Sequence, residues 1–210
     1  MRLDPAGLPF IIGALLFAFL AGAAGGWMFA IPFVVLGAFF VFFFRDPDRR
    51  AAVDTGDDAV LAPADGRVLV AARAASGTAP PGEWQQVSIF LSPMDVHVNR
   101  VPVSGRVTRV NFTRGRFLPA YHPEAATANE RSEIWLDHGG QTVVARQVVG
   151  ILARRVVCRV EAGAQVRAGD RFGIMKFGSR MDVFLPLTAD IRVQVGAMVR
   201  GGETVIAVLH

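Results

Sequence analysis

The chain has 210 residues, 52% hydrophobic and 19% charged, with a formal net charge of +4. That length holds one domain with a real core plus an appendage. The positive balance comes mainly from arginine, with no Lys/Arg-rich run and no RNA- or DNA-binding motif. This sets nucleic acid aside and, beside an apolar N-terminus, favours an anionic membrane surface. The single cysteine, Cys158, excludes an intrachain disulfide framework and fits a reducing compartment. Its place in Val156-Val157-Cys158 reads as a small buried residue.

From Phe10 to Phe44 no residue is charged. One helix of that length would run about 52 Å at 1.5 Å per residue, against a hydrocarbon core of about 30 Å. Gly22, Gly25-Gly26 and Pro32 supply a break. The pattern predicts two short apolar helices, over 9–24 and 27–44, forming a hairpin within a membrane-associated segment 1–44. The hairpin either spans thinly or enters one leaflet and returns. The run is too long for the apolar region of a secretory signal peptide, and only Arg2 precedes it as a positive charge. Arg45, Arg49 and Arg50 follow directly, which favours the cytoplasmic side of the cell membrane for the rest of the chain.

Residues 45–58 read as a polar linker. Over 59–210 the pattern changes to period two, and short strands are expected at 60–61, 67–72, 86–91, 95–101, 105–112, 133–136, 142–149 and 155–160. Further strands are expected at 183–187, 191–195 and 204–209. Turns rich in Gly, Pro and Asp separate them. The fold class is mainly β, a barrel-like or sandwich-like domain. Gly163–Gly178 resembles the half-motif of lipoyl- and biotinyl-carrier domains, which supports the same architecture and no particular function. Residues 80–82 and 119–129 read as surface loops.

Three segments carry chemistry. Lys176-Phe177-Gly178-Ser179-Arg180-Met181-Asp182 places a Gly-Ser pair between two strands. Gly178 opens backbone conformations closed to other residues, and a strained peptide there exposes its carbonyl to the Ser179 hydroxyl. Ala62-Pro63-Ala64-Asp65-Gly66 contains an acidic turn. Ser92-Pro93-Met94-Asp95-Val96-His97-Val98-Asn99-Arg100 contains a histidine strand, on which alternation puts Asp95, His97 and Asn99 on one face. Taken singly, Asp65 reads as a turn residue, His97 as a structural histidine and Ser179 as a loop serine. His122, His138 and His210 read as surface or turn residues, and no metal-ligand spacing is present.

Together with Phe43-Phe44-Arg45-Asp46-Pro47 and Asn129-Glu130-Arg131, these segments resemble phosphatidylserine decarboxylases, in particular the short membrane-associated branch of prokaryotes. The resemblance covers nearly the whole chain. In two places the chain departs from the longer bacterial enzymes. Arg100 stands where they carry a second histidine, and Ser179-Arg180 replaces their Ser-Thr at the cut.

The resemblance implies a self-processing enzyme with Asp65, His97 and Ser179 as its triad. A base must activate a serine hydroxyl, histidine has the pKa for it, and a carboxylate can orient the ring. Cleavage between Gly178 and Ser179 would give a β chain, 1–178, and an α chain, 179–210, and would turn Ser179 into a covalent pyruvoyl cofactor. That group would decarboxylate phosphatidylserine to phosphatidylethanolamine and CO2 through a Schiff base. Arg180 is a candidate contact for the lipid phosphate. The implied partners are phosphatidylserine, membrane lipid and the two chains of one precursor, with homo-oligomer formation left open.

Two rival readings stand beside this one. Met175-Lys176-Phe177 faintly resembles a biotin-attachment site, so a membrane-tethered carrier or interaction module is one. A decarboxylase of another serine phospholipid, such as archaetidylserine, is the other.

Overall fold

A computed structural model of the chain describes residues 2–49, 56–151, 156–176 and 178–210. It divides into two units, Met1–Asp48 and Arg49–His210.

The first unit is the helix pair. Leu8–Gly25 and Trp27–Phe43 are α-helical, separated at Gly26. Ala14 and Ala18 are buried, Gly22 lies against Ala30 and Gly37 against Ala14. Small residues four apart on the first helix thus let the second approach closely, the packing that membrane helices use. Phe10 against Phe40 and Phe17 against Phe33 fill the flanks, with ring centroids 5.4 and 5.8 Å apart. A short antiparallel pairing of Arg2–Leu3 with Arg45–Asp46 closes the base. Most other side chains are exposed and apolar, among them Leu16, Phe19, Phe29 and Val35. The first helix, with the turn before it, is long and apolar enough to cross a membrane.

In the second unit an eight-stranded antiparallel sheet curls around the core. Its order is Gln165–Val166, Gly105–Thr113, Arg131–His138, Gln141–Val148, Ser179–Leu185, Gln85–Leu91, Gly66–Arg73 and Met198–Val199. Two three-stranded sheets complete the unit. One pairs Val156–Cys158, Arg171–Met175 and Val98–Arg100; the other pairs Asp190–Ile191, Val205–Val208 and Ala59–Leu61. Ile89, Leu91, Ile134, Leu136, Met181, Val183, Leu185 and Phe172 are fully buried together. The alternation expected of one-sided strands thus builds a mainly β domain.

Three expectations shift. Of 95–101 only Val98–Arg100 pairs as a strand. Asp95 instead turns back, its Oδ2 accepting from the Ser92 amide at 2.8 Å, a local bond that competes with a ladder. Of 191–195 only Ile191 lies in a strand. The 119–129 loop holds a short helix, Ala125–Ala128, with Ala125 and Ala126 buried. Much of the linker expected over 45–58 falls on residues 50–55, outside the described residues. Cys158 is half-buried, and burial pushes its thiol pKa up.

Candidate active site

Ser179 opens the strand at the centre of the large sheet, hydrogen-bonded between Gln85–Leu91 and Gln141–Val148. Alternation puts it on the face of Met181, Val183 and Leu185, which look into the core. It is fully buried, and its Oγ makes no hydrogen bond among the described residues. A buried hydroxyl without a partner is a cost that structures rarely keep without a use. Gly178 before it has φ +70°, a left-handed conformation that costs other residues about 1–2 kcal/mol. The Gly178 carbonyl lies against Gly150: a Cβ placed on Gly150 would sit 2.1 Å from that oxygen.

His97 is fully buried, and its backbone carbonyl accepts from the Met175 amide at 3.2 Å. This bond ties the histidine segment to the end of the strand that leads into the Gly178–Ser179 junction. Nδ1 of the ring lies 2.9 Å from the Asp95 carbonyl oxygen. A carbonyl can only accept, so Nδ1 carries the proton and Nε2 keeps the basic lone pair. The residue expected on the same face as His97 thus orients the ring through its main chain rather than its carboxylate.

Asn99 and Gln147 are also fully buried, joined by a 2.8 Å bond from Gln147 Nε2 to Asn99 Oδ1. Their remaining polar atoms, Asn99 Nδ2 and Gln147 Oε1, have no partner among the described residues. Gln147 pairs with Met181 across the ladder, so it shares the inward face with Ser179. Gln147 escapes a reading of motifs. The available signal is parity: it follows Val143 and Ala145 on the core-facing positions of its strand.

Asp65 is held by groups other than His97. Its Oδ2 accepts from Arg49 at 2.7 Å and its Oδ1 from the Gly201 amide at 2.8 Å, while Glu203 takes the other Arg49 nitrogen at 3.2 Å. The hydrogen bonds of Asp65 therefore run to these groups and not to His97. Arg180 is 4% exposed, and its Nε donates to Asp182 at 2.6 Å and its Nη2 to Ser88 at 2.9 Å. A lipid phosphate would have to compete with a buried carboxylate for it. The position is buried because this strand is covered on both faces.

Asn129 explains the Asn-Glu-Arg segment. Its Oδ1 accepts from the Leu118 amide, and its Nδ2 donates to the carbonyls of Leu118 and Val149, at 2.8–2.9 Å. It thereby fixes the 116–121 loop and the residue preceding Gly150. Each buried backbone group left unsatisfied costs about 1–3 kcal/mol. Asn129→Ala is expected to lower the thermal unfolding midpoint well below that of the exposed control Thr127→Ala, and to slow any reaction at Gly178. Equal melting curves for the two variants would contradict this.

The family model described as phosphatidylserine decarboxylase matches residues 36–207. The chain belongs to the phosphatidylserine decarboxylase family. Relatives named phosphatidylserine decarboxylase proenzyme include one from Nitrosomonas europaea, 42% identical over 97% of this chain and 94% of its own length. One from Salinibacter ruber is 41% identical over 86% of this chain and 82% of its own. One from Pelodictyon phaeoclathratiforme is 44% identical over 80% and 78%. Membership in the decarboxylase family disfavours the carrier reading of Lys176, which is half-buried after the Arg171–Met175 strand.

Proposed function

We propose that the protein is a self-processing phosphatidylserine decarboxylase that works at a membrane surface. The observation that supports this most directly is the buried, unbonded Ser179 hydroxyl beside a left-handed Gly178, in a chain of this family. His97 Nε2 takes the Ser179 proton, and the alkoxide attacks the Gly178 carbonyl carbon. Collapse breaks the C–N bond and leaves an ester, with the proton going to nitrogen. Loss of the Ser179 α-proton expels the Gly178 carboxylate and leaves dehydroalanine at the new N-terminus. Its imine tautomer takes up water and loses ammonia, which gives the pyruvoyl ketone. When in place, this group supplies an electron sink for the substrate amine as CO2 departs.

The residues present fit such a group. Asn99 Nδ2 offers a buried donor and Gln147 Oε1 a buried acceptor on the inward face, and His97 is the acid that returns a proton to the substrate α-carbon. Asp65 joins His97 through a side-chain rearrangement away from Arg49; in the arrangement described, the Asp95 carbonyl holds the ring instead. The positive residues after the second helix favour the cytoplasmic side for this unit. A serine phospholipid with another backbone would present the same headgroup chemistry.

The α chain, 32 residues long, cannot bury a core alone. Its Ser179–Leu185 strand is central in the large sheet, and its Val205–Val208 strand is central in a small one. Purified in detergent, the protein is therefore expected to yield two pieces on a denaturing gel and one species by native mass measurement, with the smaller piece blocked at its N-terminus. It should release CO2 from phosphatidylserine vesicles. An intact chain that gains mass on Lys176 would instead support the carrier.

A further inference from the structure

Beside the Gly178 carbonyl opens an apolar cleft of about 370 Å³, lined by Phe90, Pro93, Pro119, Tyr121, Ile151 and Gly178 itself. Among the described residues that lining holds no charged side chain, and its one side-chain hydroxyl is that of Tyr121. Three large apolar side chains near the cleft opening are exposed: Met94 at 62%, Tyr121 at 63% and Ile151 at 56%. Single exposed apolar residues are ordinary, but a cluster of them at one opening marks an interaction site. Two features show how this one is held. Tyr121 packs edge-on against Phe90, with ring centroids 5.9 Å apart, and Asn129 clamps Leu118 at the root of the same loop. The tips are therefore presented on a fixed frame.

We propose that this rim is a lipid-docking face of the Arg49–His210 unit, and that the cleft takes the first part of the substrate's acyl or glycerol region. The proposal rests on the decarboxylase reading and extends it to a second membrane contact, separate from the helix pair. The occupant follows from position. A lipid whose serine headgroup reacts at residue 179 must send its apolar part outward past Gly178, and among the described residues this apolar cleft opens there. Charge agrees. Arg114 and Arg116 are exposed beside Phe117 on the same loop, and arginine next to aromatic side chains suits the boundary between anionic headgroups and acyl chains.

The opposite end of the sheet serves as control. The turn containing Ser76 joins the strands at Arg73 and Gln85, about 20 Å from Leu91 along the Gln85–Leu91 strand at 3.3 Å per residue. The full-length chain, carrying Cys158→Ser, receives one new cysteine as Met94→Cys, Tyr121→Cys or Ser76→Cys. Each is labelled with a polarity-sensitive fluorophore and reconstituted into phosphatidylglycerol/phosphatidylethanolamine vesicles with and without acyl-chain quencher lipids. All three positions are exposed, so labelling leaves the core untouched.

At least twofold quenching and a blue shift at 94 and 121, with neither at 76, is the expected result. Probes at 94 and 121 that behave like the one at 76 would overturn the docking face. A denaturing gel of the same samples separates the two ideas. Two pieces without quenching remove the docking face and leave the decarboxylase, whereas a single band removes the decarboxylase while the quenching still decides the docking.

Discussion

Ser179→Ala is expected to leave one full-length band and no decarboxylase activity. The loss should be chemical rather than structural. The Ser179 hydroxyl is buried and bonds to nothing among the described residues, so alanine removes an unsatisfied group and leaves no new one behind. Such a change is close to neutral for stability or favourable. The variant should therefore melt no lower than the uncleaved protein, while cleavage falls to zero because no atom remains to attack the Gly178 carbonyl. His97→Gln should behave differently. General-base assistance contributes about 10²–10⁴ in rate, so processing should slow by that order and not vanish. A time course on denaturing gels checks both, and two fragments from Ser179→Ala would end the proposed origin of the cofactor.

Much of this architecture is visible in the sequence because it follows from local rules. An uncharged run too long for one span, broken by Gly25-Gly26, becomes two helices with ends close to those expected. Period-two segments become strands, since alternation is the condition for covering a sheet on its core side. Where the reading falls short, the missing information is long-range. Arg180 reads as a candidate contact for the lipid phosphate until the sheet order shows its strand in the centre, covered on both faces, with Asp182 as its partner. The Asp-Gly turn at Asp65 is legible, but Arg49 and Gly201, which hold it, lie far off in sequence. Gln147 and Gly150 belong to no motif, and only register brings them to the junction.

Gly150→Ala is the substitution that tests this register-dependent part of the site. The added methyl would lie 2.1 Å from the Gly178 oxygen, 3.1 Å from its carbonyl carbon and 3.4 Å from the Ala120 methyl. The nearest neighbours are backbone atoms, which cannot swing aside as a side chain does. Nor is Gly150 free to retreat, because Val149 before it is held by Asn129 Nδ2 and by its own amide to the Glu130 carbonyl at 3.1 Å. The Gly178 carbonyl must therefore move, and it is the group that Ser179 attacks. Overpacking of this kind costs about 1–3 kcal/mol, and if the strain falls on the attack geometry, about 1.4 kcal/mol is a tenfold loss of rate. Processing should slow at least tenfold in Gly150→Ala. Gly178→Ala provides the contrast, since open space surrounds its Cβ position and only its φ of +70° is strained. Measuring thermal stability for both in the uncleavable Ser179→Ala background separates a distorted junction from a damaged fold. Wild-type processing rates in Gly150→Ala would show that the carbonyl is not where attack requires it to stay.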